Sequence, residues 1–144
     1  MSDVHVDISD DLVNGIFDVL DGNVIYDDTT YPVYKSIPKV PAPVYVWITE
    51  VMHDEDGTKD SFMYNGTVQI RVVDESLQRA DKKKGRGINN VVRGLLKPAR
   101  ATTFSIGDTL TLIVLKPGGY NEMTEQSDNI MKMSFIDIYD FLIQ

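Results

Sequence analysis

The sequence predicts an α+β domain. Two amphipathic helices pack on one face of a mostly antiparallel sheet of four or more strands, two of which form a long β-hairpin. Three observations predict it. Apolar residues recur at helical spacing in two stretches, 12–20 and 77–95. Residues 62–73 alternate between apolar and polar side chains, as a half-buried strand does. The other apolar runs, 44–51, 109–116 and 129–144, are rich in β-branched and aromatic residues and are bounded by proline, glycine and polar turns.

Ser9 is placed to cap the first helix, with Asp10 and Asp11 in its first turn, where carboxylates suit the positive end of the dipole. Leu12, Val13, Ile16, Phe17 and Leu20 form its apolar stripe, and Asp21-Gly22 stops it. Pro32, Pro38, Pro41 and Pro43 then forbid a helix and demand extended chain. Val44 to Val51 reads as a strand. The polar segment 53–60, with a turn at Asp56-Gly57, leads into the alternating strand. In that strand Phe62, Tyr64, Val68, Ile70 and Val72 share one face, and Met63, Asn65, Thr67, Gln69 and Arg71 share the other. The second helix presents Leu77, Ala80, Ile88, Val91, Val92 and Leu95 on one side, and Pro98 ends it. Gly85 and Gly87 interrupt it, at about 1 kcal/mol each relative to alanine. Pro117-Gly118-Gly119 and the polar run to Asp128 read as a loop between the last two strands. On the final strand Met131, Met133 and Phe135, or their alternating partners, read as an exposed apolar row on the helix-free face.

At 144 residues the chain is expected to be one domain, 1–144, large enough to bury a core. It contains no cysteine, which excludes disulfides, thiolate metal sites and cysteine nucleophiles. The acidic start, without an apolar run, does not read as a signal peptide, and no stretch approaches the roughly 18 apolar residues of a membrane span. His5 and His53 lie far apart in polar surroundings. The segment 54–65 puts Lys59 and Asn65 where a calcium loop needs glycine and glutamate. Phosphate-loop, dinucleotide and hydrolase motifs are missing. The expectation is a protein that is not an enzyme and carries no cofactor or metal.

The charge distribution is uneven. Residues 79–100 hold eight of the fourteen basic residues and one acid, a net +7, against −15 for the remainder and −8 for the whole chain. At helical spacing Arg79, Lys82, Lys83, Arg86, Arg93 and Lys97 fall opposite the apolar stripe. That face either meets water or meets an acidic surface, such as DNA phosphates or a neighbouring copy. A DNA contact would have to be local, because an acidic chain repels a phosphate backbone.

In the order of its elements the chain resembles the tail terminator, or tail-completion, proteins of long-tailed phages. The likeness runs through "DISDDLVNGIFDVL", "PVYKSIPKVPAPVYVWI", "FMYNGTVQIRVVDES", "NNVVRGLL" and "IMKMSFIDIYDFLIQ", nearly the whole chain. The resemblance implies a structural virion protein at the tail–neck joint, assembled in the host cytoplasm. It would form a homohexameric ring that caps the tail-tube protein, ends its polymerisation and docks the head-completion or neck protein, with DNA only as cargo in its lumen. The six basic residues become candidates for a subunit interface or lumen face. His53, Asp54, Glu55, Asp56, Tyr120, Asn121 and Glu122 become candidate docking loops. The alternatives are another neck component (a head-closure or head–tail connector protein) and a nucleic-acid-binding module using residues 79–100.

Overall fold

The computed structural model describes residues 8–53, 64–77, 82–96, 105–106, 110–127 and 130–143. In chain order these form α1 (Ile8–Leu20), β1 (Ile25–Tyr26), β2 (Thr29–Thr30), β3 (Val33–Tyr34), β4 (Val44–His53) and β5 (Tyr64–Leu77). They continue with α2 (Lys83–Leu96), β6 (Ser105–Ile106), β7 (Leu110–Ser127) and β8 (Ile130–Ile143). Strands β3 to β8 make one sheet in the order β3-β4-β5-β8-β7-β6. Only the β3–β4 pair is parallel, so the expected α+β fold with a mostly antiparallel sheet holds. The expected hairpin is present as β4–β5, with Val46 opposite Val72 and Ile48 opposite Ile70.

Alternation builds the core. Val46 and Ile48, then Val68, Ile70 and Val72, then Met133, Phe135, Tyr139 and Phe141 point to the face that both helices cover. Leu12, Ile16 and Leu20 of α1, with Ile88, Val92 and Leu96 of α2, close over them. Each such buried aliphatic side chain stabilises by roughly 1.5–3 kcal/mol. α1 ends as Asp21-Gly22 requires. Gly22 adopts φ +77°, and Asn23 donates from its backbone to Leu20 and from its amide to Val19, satisfying end carbonyls.

Three expectations are corrected. The loop expected at 117–128 is, through Ser127, the second half of β7. Pro117 and Gly118-Gly119 are absorbed by a register shift between Pro117 and Gly119, where a residue without an N–H can sit in a strand. Tyr120, Asn121 and Glu122 therefore stand on a strand. Second, Met133 and Phe135 are buried beneath the helices rather than exposed, and Met131 packs beside them. Their alternates Ser134 and Ile136 are buried as well. Third, α2 starts at Lys83, while Leu77 belongs to β5 and Ala80 lies outside the described residues. The buried stripe is Gly85, Ile88, Asn89, Val92 and Leu96. The structure also adds a small hairpin before β3, β1–β2, turned by Asp27 (φ 51°) and Asp28 (φ 62°). Aspartate tolerates this left-handed pair, which suits a two-residue hairpin turn.

Candidate functional site

The two glycines of α2 explain how the helix approaches the sheet. A Cβ on Gly85 would enter the ring of Phe135 on β8, and one on Gly87 would enter the ring of Tyr26 on β1. The glycines let the helix backbone lie against two aromatic rings. With that distance set, the basic face of α2 leans over β8 and β7.

There it meets carboxylates of the same chain. Glu122 of β7 receives two hydrogen bonds from Arg86, Nε to Oε2 at 2.8 Å and Nη2 to Oε1 at 3.0 Å. Lys82 Nζ lies 3.3 Å from Glu122 Oε1, and the Tyr120 hydroxyl donates to Oε2 at 2.6 Å. Two turns further on, Arg93 grips Asp137 of β8 through Nε and Nη2, each 2.6 Å from a carboxylate oxygen. The Tyr139 hydroxyl lies 3.4 Å from Asp137 Oδ2. The Arg93 guanidinium also covers the Tyr120 ring, 5.5 Å from its centroid. Asp137 is fully buried, and the two-pronged contact supplies the charge and hydrogen bonds its burial requires.

The electrostatics follow from this geometry. Hydrogen bonds from Arg86 and Tyr120 hold the Glu122 carboxyl down to about 2. Burial and donation to Glu122 push the Tyr120 phenol up. Burial, reinforced by the Asp137 charge, pushes up the Tyr139 phenol. Arg86 and Arg93 are raised by the hydrogen bonds to their carboxylates. Glu122 also places a negative charge beside the first turn of α2, a turn that carries no acid of its own and three basic residues.

An open cleft of about 210 Å³ lies between α2 and β7, lined by Arg86, Asn89, Asn90, Arg93, Tyr120 and Glu122. Among the described residues no group of His, Cys, Asp and Glu side chains could hold a metal ion. Of the predicted basic residues, Lys82, Arg86 and Arg93 come together here. Lys83 is exposed on the same helix, while Arg79 and Lys97 lie outside the described residues. Tyr120 and Glu122 join the cluster from the other candidate group, and Asn121 is exposed beside them. His53 ends β4, and Asp54, Glu55 and Asp56 lie outside the described residues. The sequence reading missed Asp137. Its signal was a lone carboxylate in the apolar alternation Met133, Phe135, Asp137, Tyr139, Phe141, which demands a buried cation.

No family model and no curated protein matches this chain. Among solved structures, a chain of the virion of a native gene transfer agent particle has a similar fold. The TM-score is 0.68 at 14% identity, over 94% of this chain and 98% of that one. A second solved chain has a TM-score of 0.57 at 17% identity, over 92% and 94%. The likeness is one of fold, and it spans each molecule almost from end to end.

Proposed function

We propose that this chain is a structural virion protein of the tail–neck joint. Copies assemble into a hexameric ring that caps the tail tube, ends its polymerisation and presents a docking surface to the head-completion protein. The observation that carries the reading is the end-to-end fold shared with a component of a virion particle, at a TM-score of 0.68. The order of elements that resembles the phage tail terminators supports the same reading. The protein would act by shape and contact, with no cofactor. Its net charge of −8 suits a lumen through which DNA passes without being held.

The nucleic-acid-binding alternative loses ground. Arg86 and Arg93 already spend their donors on Glu122 and Asp137, so the basic face offers phosphate less charge than the sequence suggests. Electron microscopy of the purified protein, alone and with purified tail tubes, tests the proposal. Rings are expected, seated on tube ends. Monomers only, by native mass with and without tail-tube protein, would reject it. Docking on isolated necks instead of tubes would replace it with the head-closure reading.

A further inference from the structure

We propose that the outer edge of β7, from Tyr120 to Gln126, pairs antiparallel with the β3–β4 edge of a second copy of this chain. Neighbouring sheets would thereby join head to tail. The inference rests on the ring reading above and deepens it by naming the contact.

The first support is the state of the two edges. β6 covers β7 only at Leu110 and Thr111, and no described strand pairs with the outer side of β7 beyond them. From Gly119 to Ser127 the inner ladder to β8 is regular. Alternate residues of such a strand turn both N–H and C=O outward. Edges are normally blunted by charged side chains, lysine above all, by proline or by a bulge, and residues 120–126 contain no lysine, proline or bulge. Tyr120 and Met123 are each 42% exposed along it. At the opposite end of the sheet, β3 covers β4 only at Val46 and Trp47. From Ile48 to His53 no described strand lies on that side.

Direction is the second support. β3, β4 and β8 run one way and β5 and β7 the other. Copies set side by side therefore bring β7 of one antiparallel to β3 and β4 of the next.

The third support is charge. Glu122 is already held by Arg86 and Lys82, so the β7 edge offers Glu125, and the ammonium of Lys132, the residue opposite Glu125, is turned to Glu75 at 3.8 Å. At the other end of the sheet Lys39 is exposed on the connection from β3 to β4, while the Lys35 ammonium bonds Asn14 and lies over the Phe17 ring. A two-fold pairing of β7 with itself would also be antiparallel, but it would bring the Glu125 carboxylates of both copies to one contact. The head-to-tail pairing sets Glu125 toward Lys39 instead, and a heterologous contact closes into a ring where its rotation closes.

The absence of cysteine makes the test direct. Lys39→Cys and Glu125→Cys are prepared as single variants and together in one full-length chain, then oxidised or bridged with a short bis-maleimide. Within one copy the two positions are separated by four strand spacings, about 19 Å, too far for a disulfide. The single variants mixed together should give a covalent heterodimer, and the double variant a ladder of higher oligomers. Met123→Pro and Thr124→Pro are added to the double variant one at a time, because one of the two removes an outward N–H. Whichever keeps the native circular dichroism should lose the ladder. Rings by microscopy with no mixed crosslink would overturn the edge contact and leave the ring reading standing. Crosslinks of Glu125→Cys only with itself would overturn it in favour of a two-fold contact. Monomers with no crosslink would remove both.

Discussion

A single methyl group separates Gly85 from a clash with the ring of Phe135. Gly85→Ala should therefore destabilise by roughly 1–3 kcal/mol through overpacking, although alanine is the better helix former. Gly94 is the control. It is exposed on the same helix, and its Cβ would meet nothing within 4 Å. Gly94→Ala should gain up to about 1 kcal/mol. Urea denaturation of both variants checks the pair, and equal shifts of one sign would contradict the account. The Arg93–Asp137 pair makes a second residue-scale prediction. Arg93→Ala leaves a carboxylate buried without its cation and should cost about 2–3 kcal/mol. That is the low end for such losses, because the Arg93 side chain is 37% exposed and water can partly replace it. The double variant Arg93→Met/Asp137→Leu should recover most of the loss, as a denaturation midpoint would show. The sequence marked both glycines as costly and Arg93 as basic. It could not say what faced them, because Phe135, Tyr26 and Asp137 lie between 44 and 61 residues away along the chain.

Between elements, α2 is held to the sheet by an apolar stripe on one side and by the Glu122 and Asp137 contacts along its flank. Val92 is fully buried in the stripe, so Val92→Asp should abolish the cooperative thermal transition. The Glu122 contact should appear in the acid range. Its carboxyl, ordinarily near 4.5, is held down to about 2, so the folded protein takes up that proton less readily than the unfolded chain. The stabilisation is complete above the unfolded value and is lost as pH falls through about 2. Glu122→Gln should therefore melt below the parent at neutral pH, with the gap closing between about pH 5 and pH 2. A gap that stays constant with pH would show that Glu122 acts by packing alone. At this scale the helix period, the β4–β5 hairpin and the strand cores could be read from spacing. The second half of β7 could not, because Pro117 and Gly118-Gly119 carry the local chemistry of a turn. Pairing along β8 overrides it with a register shift.

Across the whole molecule, part of the basic segment is matched within the chain, where Lys82, Arg86 and Arg93 meet acids on β7 and β8. If Glu125 and Lys39 steer copies together, raising the salt concentration should slow assembly while barely moving the monomer's melting temperature. Light scattering and thermal melts across a salt series would check this. The sequence by itself determined the α+β class, the two helices, the alternating strands and the segregation of charge. These follow from periods of 3.6 and 2 and from local breakers, which a chain carries in its own order. The tertiary structure alone decided that Gly85 and Gly87 admit two aromatic rings, that Arg86 and Arg93 find Glu122 and Asp137, and that β7 runs on to Ser127 as an exposed edge. Each of those depends on partners brought together by sheet order β3-β4-β5-β8-β7-β6. Neighbours across a sheet are set by register between distant segments, which no local spacing records.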